Sequence, residues 1–259
     1  MITLAVTIHD PDAGLLWRIK KCLSSVQAFF DDVIVVATPQ THPDVLKYLR
    51  EKKCIVDHRK KNMVGETYFR AFELGVEQKG SYIFACDFDR ILHWMDRYPS
   101  ELQQLVKKLR KSTTQKAEYI VCERTPRAYR THHEALYTCE QIANKLVSDA
   151  LHEKKQHDFM SGVCIASQKT GNTLLHYGPY AGIEHMAVWP LVLQEKGARL
   201  AYQAFEGLEW ETPNQYREQV RRAGGVRQWR KQLSTLPEWK RRVGHIQQMI
   251  GGVIVAQQA

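Results

Sequence analysis

The sequence contains no hydrophobic run long enough to cross a membrane. Its longest apolar stretches, VIVVA at 33–37 and GGVIVA at 251–256, are far shorter than the roughly 20 residues that a membrane helix needs. The N-terminal stretch MITLAVTIHD has neither a basic leader nor a small-residue cleavage site. We therefore predict a cytoplasmic protein.

Two groups of binding motifs are also missing. The six cysteines are widely scattered without a C-x-x-C pair, so we expect reduced, buried packing residues rather than a metal or disulfide framework. The phosphate-binding patterns G-x-x-x-x-G-K-[ST] and G-x-G-x-x-G are absent, which argues against P-loop and dinucleotide-binding proteins.

Negative charge is scarce towards the C-terminus. The chain has a formal charge of +9, and residues 213–250 contain nine Lys or Arg but only two Glu. Together with Trp229 and Trp239, this basic tail suits peripheral contact with an anionic membrane surface. It suits nucleic acid less, because no recognition motif accompanies it. The third interpretation is a solvated helical face packed on the main domain.

Apolar, β-branched runs alternate with segments of helical periodicity along most of the 259 residues. This alternation predicts an α/β fold with a doubly wound, mostly parallel sheet. We expect one such domain over 1–212, followed by a basic helical extension over 213–259. The predicted strands are ITLAVTI (2–8), DVIVVAT (32–38), CIVDHR (54–59), SYIFACDF (81–88), AEYIVCE (117–123), FMSGVCIAS (159–167) and ARLAYQAF (198–205).

Two aspartates, Asp87 and Asp89, stand one residue apart at the end of the predicted fourth strand. Neighbouring carboxylates repel each other and lose hydration when buried. A divalent cation such as Mn²⁺ or Mg²⁺ offsets that repulsion and can also bind the oxygens of a diphosphate. The alternative is structural, with Asp capping the helix that follows and a surface acid beside it.

Four segments occur in an order that is more specific than any one of them: TLAVTIHD, GETYFRAFELGVEQKGSYIFACDFD, FMSGVCIAS and GIEHMAVWPLVLQEKGARLAY. Together they resemble the GT-A fold, nucleotide-sugar-dependent glycosyltransferases, especially the family 2-like group, over roughly residues 1–210. The resemblance implies a metal-dependent enzyme that moves a sugar from a nucleoside-diphosphate sugar to a hydroxyl acceptor. It implies Mn²⁺ or Mg²⁺ as the cofactor.

The resemblance also implies roles for individual residues. Asp87 would serve both the metal and the donor diphosphate. The other implied roles are nucleotide or donor contacts for His9, Asp10, Asp57 and Arg70, metal binding for Asp89 and His185, and general base catalysis for Glu184. Each has a structural alternative: the histidines would be packing residues, Glu184 would be solvated, and Asp57 and Arg70 would pair with each other. Three features depart from the family pattern, namely Glu-His at 184–185, the missing Q-x-x-R-W signature, and Arg90 after the D-x-D.

Two other functions stay open. The stretch YIFACDFDRI also resembles the start of haloacid-dehalogenase-type phosphatases, in which Asp87 would be the nucleophile and Asp89 the acid. In those enzymes this strand comes first in the core, whereas here three predicted strands precede it. A non-catalytic GT-A-like binding protein is the third possibility, and the intact Asp87, Asp89 and Glu184 count against it.

Overall fold

A computed structural model describes residues 1–61, 63–111 and 117–258. The strands are β1 (Ile2–Ile8), β2 (Asp32–Ala37), β3 (Ile55–His58), β4 (Tyr82–Asp87), β5 (Tyr119–Arg124), β6 (Cys164–Ser167) and β7 (Leu200–Phe205). The helices are α1 (Leu16–Phe29), α2 (Pro43–Glu51), α3 (Val64–Glu77), α4 (Phe88–Arg97), α5 (Pro99–Lys111), α6 (Pro126–Tyr129), α7 (Glu134–Ala150), α8 (Gln168–Leu174), α9 (His185–Glu195), α10 (Arg217–Arg222), α11 (Val226–Leu233) and α12 (Leu236–Ala256). Short 3₁₀ turns occupy Phe159–Ser161, Glu206–Leu208 and Thr212–Asn214.

The seven strands form one sheet in the order β3-β2-β1-β4-β6-β5-β7. All neighbouring strands are parallel except β6, which runs antiparallel to both β4 and β5. The prediction of a mostly parallel α/β sheet is therefore confirmed, and each predicted strand is present. The predicted sixth strand is shorter than expected, because its first residues form the 3₁₀ turn Phe159–Ser161.

The sheet is covered by helices on both faces. Because side chains alternate along a strand, Leu4 and Val6 of β1 enter a core with α1, α4 and α5. Ala5 of the same strand faces a second core, formed with α3, α7, α9 and α12. The fully buried Trp94 and Trp189 are the largest side chains of these two cores. All six cysteines are buried and unpaired, as expected for packing residues.

The basic tail contributes to this packing. Met249, Val253 and Ala256 of α12 belong to the second core, and Trp229 of α11 stacks on Trp210 with ring centroids 5.3 Å apart. These residues agree with the interpretation of a tail packed on the main domain. The division at residue 212 stays a prediction. Ala259, the last residue of the predicted extension, lies outside the described part. No helix within that part is both long and apolar enough to span a bilayer.

Gly75 lets α3 approach the sheet closely. An added Cβ would stand 2.8 Å from Ile83 Cγ2 and 3.2 Å from Ala5 Cβ. We predict that Gly75→Ala lowers the free energy of unfolding by about 1–3 kcal/mol through overpacking, despite the better helix propensity of alanine. Gly244→Ala is the control, because an added Cβ there in α12 would meet nothing within 4 Å. The control should raise stability by up to about 1 kcal/mol in urea unfolding. Equal effects of the two variants would contradict the close packing.

Candidate active site

The chain changes direction across the sheet between β1 and β4. From β1 the chain builds outward to β2 and β3, whereas β4 lies on the other side of β1. Ligands of open α/β sheets bind in the crevice at the carboxyl ends of the strands at such a point. There Thr7 of β1 is opposite Asp87 of β4, and the Thr7 hydroxyl donates a 2.6 Å hydrogen bond to Asp87 Oδ1.

A cavity of about 410 Å³ opens at this position. Its walls include Thr7, His9, Thr38, Asp87, Asp89 and Gln215. The sequence explains why both aspartates reach it. Asp87 is the last residue of β4 and Asp89 lies in the first turn of α4, so the strand-to-helix turn presents both carboxylates at the rim. Asp87 makes no side-chain capping bond to α4, which is the bond that the structural alternative requires.

Each of these carboxylates has one oxygen without a hydrogen-bond partner among the described residues. Asp87 Oδ1 is bonded by Thr7, and Asp89 Oδ1 accepts a 2.9 Å bond from the Arg90 backbone N–H. Neither residue forms an ion pair within the described ranges. The two Oδ2 atoms are therefore available to a ligand in the cavity.

The electrostatics at this rim favour a cation. Burial raises the pKa of the Asp87 carboxyl, although Arg90 and the Thr7 hydrogen bond oppose the rise. Burial also raises the pKa of the Asp89 carboxyl, and the charges of Glu211 and Asp87 raise it further. A divalent cation would stabilise the charged forms. Asp87 and Asp89 thus fit Mn²⁺ or Mg²⁺ as carboxylate ligands.

Glu211 is a member of this site that sequence reasoning missed. Its Oε1 accepts a 3.0 Å bond from Arg90 Nη2, and the two side chains are only 7% and 11% exposed. Arg90 Nε and Nη1 and Glu211 Oε2 are buried without partners in the described part of the chain. Because Arg90 forms its ion pair with Glu211, its guanidinium group does not pair with Asp87 or Asp89 among the described residues. Glu211 follows β7 in no recognisable motif, and it meets Arg90 only through the fold.

The chain from 206 to 216, which we call the rim segment, runs along this side of the cavity. His93 of α4 donates from Nε2 to Glu209 Oε1 at 3.2 Å and accepts from Asn214 Nδ2 at 2.7 Å. Gln215 lines the cavity and donates a 3.0 Å bond to the His9 carbonyl oxygen. The helix that carries Asp89 therefore also holds the segment that borders the cavity.

The two predicted nucleotide residues after β1 have different positions. His9 lines the cavity, and its Nδ1 lies 2.8 Å from Thr38 Oγ1. Asp10 is fully buried and does not line the cavity. Its carboxylate accepts bonds from the backbone N–H groups of Gly14 and Leu15 at 2.8 and 2.9 Å. The geometry thus supports a loop-shaping role for Asp10 and not a direct nucleotide contact.

Asp57 and Arg70 pair with each other. Arg70 Nε donates to Asp57 Oδ2 at 2.9 Å, and Arg70 Nη1 donates to Glu73 Oε2 at 2.6 Å. Neither Asp57 nor Arg70 lines the cavity. The predicted donor contacts of these two residues are therefore not supported by the structure, because their charged groups already satisfy each other.

Glu184 does not line the cavity. It precedes α9, and its Oε2 accepts a 2.8 Å bond from the Gly182 backbone N–H. The Gly182 loop abuts the start of α3, since a Cβ added at Gly65 would stand 2.2 Å from Gly182 O. Val64 and Thr67 of α3 line the cavity. The loop that leads to Glu184 thus contacts the helix that borders the cavity.

His185 is a packing residue. Its ring is buried and stacks on Tyr68 with centroids 4.3 Å apart, and burial lowers its pKa to about 4. The described residues contain no group of three His, Cys, Asp or Glu side chains that could hold a metal ion. The prediction that His185 completes the metal site is therefore not supported. Ligands beyond Asp87 and Asp89 would come from water or substrate.

Comparison with solved structures identifies the same fold elsewhere. The glucosyl-3-phosphoglycerate synthase of Mycobacterium tuberculosis with Mn²⁺, UDP and glucosyl-3-phosphoglycerate aligns with a TM-score of 0.54 and 16% identity, over 79% of this chain and 69% of that one. Its complex with Mn²⁺, UDP-glucose and phosphoglyceric acid gives 0.53 and 15%, over 78% and 69%. No protein-family model and no curated protein matches this sequence. The likeness confirms the expected GT-A-type fold.

The rim segment makes stability sensitive to acid. The hydrogen bond from His93 is the main cause that lowers the pKa of Glu209 from 4.5 to about 2. A depressed carboxyl pKa contributes stability above the unfolded value, which is lost as the pH falls through the folded one. We predict that Glu209→Gln reduces the loss of unfolding free energy between about pH 4.5 and 2. Urea unfolding over this range measures it, with the exposed Glu195→Gln as control. A wild-type pH profile in Glu209→Gln would contradict the prediction.

Proposed function

We propose that the protein is a metal-dependent glycosyltransferase that moves a sugar from a nucleoside-diphosphate sugar to a hydroxyl acceptor. The observation that carries this proposal is the pair Asp87 and Asp89. Both are partly buried where the sheet changes direction, and among the described residues each has one oxygen without a hydrogen-bond partner at a cavity of about 410 Å³. That volume is in the range of pockets for small ligands and cofactors. The solved relatives of this fold that bind UDP, UDP-glucose and Mn²⁺ support it.

The residues at the rim divide the work of donor binding. Asp87 and Asp89 would hold Mn²⁺ or Mg²⁺, which when bound neutralises the charge that develops on a leaving diphosphate. Thr7 fixes the orientation of Asp87 through its hydroxyl. His9, Thr38 and Gln215 present polar groups along the cavity, where they would orient the nucleotide. Glu211 would hold Arg90 so that the aspartates stay available.

For the acceptor hydroxyl we propose Glu184 as the general base. A carboxylate that accepts the hydroxyl proton makes the oxygen a better nucleophile for the anomeric carbon. The Gly182–Glu184 loop lies against the start of α3, which borders the cavity. Glu184 Oε1 has no hydrogen bond among the described residues, whereas Glu184 Oε2 accepts one from the Gly182 N–H.

The phosphatase alternative is less well supported. In the structure three strands precede β4, and Asp87 already receives a 2.6 Å hydrogen bond from Thr7. Such a bond lowers the nucleophilicity of the carboxylate that this alternative requires. A cytoplasmic location and a peripheral membrane contact of the basic tail stay predictions. Trp229, one of the two aromatic residues on which the membrane prediction rests, is already buried against Trp210.

We predict that Asp89→Asn abolishes metal-dependent binding of the donor nucleotide. Wild type should be stabilised by UDP only with Mn²⁺, by about 2.7 kcal/mol at a hundredfold excess over Kd. The variant should show no such stabilisation, because an amide is a poorer ligand for a hard cation. Thermal unfolding with UDP, Mn²⁺, both or neither measures this. The control is Asp149→Asn, since Asp149 pairs with Lys145 on the surface.

One result would count against the assignment of Asp89, and two would count against the glycosyltransferase itself. Metal-dependent UDP stabilisation that survives in Asp89→Asn would remove the assignment of Asp89. Stabilisation by phosphate mimics without any nucleotide effect would favour the phosphatase. Flat unfolding curves for wild type with every nucleoside diphosphate would favour the non-catalytic binding protein.

We predict that Glu184→Gln lowers kcat by about 10²-fold or more while the KM for the donor stays close to wild type. General base catalysis contributes roughly 10² to 10⁴ in rate, and glutamine keeps the size of the side chain. Steady-state transfer kinetics measure the split between the two constants. A wild-type kcat would exclude Glu184 as the base. Glu211→Gln, assayed in parallel, shows whether Glu211 is the general base instead.

A further inference from the structure

A second cavity, of about 370 Å³, opens between the start of α7 and the end of α11. Three cationic residues line it, Arg130, Arg230 and Lys231, and the other lining residues are the acid Glu134 together with His132, Tyr137 and Ser234. We call it the basic cavity. It shares no lining residue with the cavity that contains Asp87 and Asp89.

The two guanidinium groups of the basic cavity are anchored by backbone carbonyls. Arg230 Nη1 donates to the carbonyl oxygens of Arg130 and Thr131 at 3.1 and 3.0 Å. Arg130 Nε donates to the Pro126 carbonyl oxygen at 3.1 Å. Such bonds hold the charged groups in position without neutralising them, so their remaining N–H donors are preorganised for an anion.

These cations have no acidic partner in the described part of the chain. None of the ion pairs there includes Arg130, Arg230 or Lys231. Other arginines of the same basic tail are paired, since Glu218 binds Arg221 and Glu238 binds Arg241. The three positive charges in one cavity repel each other. A bound oxyanion would attract each of them and so offset that repulsion. Guanidinium groups match the geometry of phosphate oxygens.

A connected set of contacts links the basic cavity to the acids of the first site. Thr131, which follows Arg130, accepts a 2.8 Å bond from the Trp210 backbone N–H at its hydroxyl oxygen. Trp210 precedes Glu211, and Glu211 pairs with Arg90 next to Asp89. An anion in the basic cavity would therefore bind next to Thr131, the residue that is hydrogen-bonded to the rim segment.

We propose that the basic cavity binds a phosphate group through Arg130, Arg230 and Lys231. Glu134 would accept a hydrogen bond from a hydroxyl of the same ligand. Because its carboxylate and phosphate are both negatively charged, it would also limit the affinity for phosphate alone. The phosphate has two possible sources, a phosphorylated acceptor or free inorganic phosphate. The first source rests on the proposed function, whereas the binding site itself does not.

The test titrates the full chain with inorganic phosphate in metal-free, phosphate-free buffer, by calorimetry. We run it on wild type and on Asp89→Asn, which lacks a donor-site metal ligand, and expect the same affinity for both. Arg230→Gln should weaken binding by about 10-fold or more, because hydrogen bonds to charged groups are strong. Glu134→Gln should strengthen it several-fold by removing a like charge. Lys231→Gln, an exposed position, should weaken it and covers the case in which Arg230→Gln disturbs folding.

Arg221→Gln is the matched control. It removes the same charge from the same tail, but Arg221 pairs with Glu218 and does not line the basic cavity. Its phosphate affinity should equal that of wild type. The proposal is overturned if wild type does not bind phosphate, if Arg230→Gln and Lys231→Gln bind as wild type does, or if Arg221→Gln weakens binding equally.

A transfer assay then identifies the source. If the phosphate belongs to the acceptor, Arg230→Gln raises the KM for phosphorylated acceptors and not for neutral ones, and inorganic phosphate competes with the acceptor. If free phosphate is the ligand, it changes kcat without competing, and Arg230→Gln removes that effect. Should the chain lack transfer activity altogether, the metal-free titration still decides whether the site exists.

Discussion

The contact between Thr7 and Asp87 is the constraint on which the site depends. It joins the ends of β1 and β4, the two parallel strands between which the sheet changes direction. The hydrogen bond orients one carboxylate, and the turn into α4 brings Asp89 beside it. Burying both acids raises the pKa of each carboxyl, which costs stability unless a cation joins them. This fold therefore maintains a local electrostatic cost at its rim, as functional sites often do.

The rim segment complements this pair from the other end of the chain. Glu211 occupies Arg90, and His93 holds Glu209 and Asn214. Arg90 and His93 belong to α4, the helix that starts next to Asp87. The position of Asp89 and the position of the rim segment are thus set by one rigid element. Movement of α4 would alter both the carboxylates and the cavity border.

Local patterns in the sequence were sufficient for the strands and for the aspartate pair. Every predicted strand exists, since short continuous runs of apolar, β-branched residues mark buried strands within a few positions. Asp87 and Asp89 were found for the same reason, because a strand end can be read directly from the chain. Arg70 and His185 show the limit. Their types suggested ligand contacts, but Arg70 is neutralised by Asp57 and His185 is stacked on Tyr68.

The sequence by itself determined the mostly parallel α/β sheet and the two acids at the end of β4, because both can be read from the pattern of neighbouring residues in the chain. Only the tertiary structure decided that Glu211 would meet Arg90, that Gln215 would border the cavity, and that Arg130 and Arg230 would share another one. Those partners are separated by about a hundred residues or more. No local periodicity encodes such pairings, since they depend on how distant elements pack against the sheet.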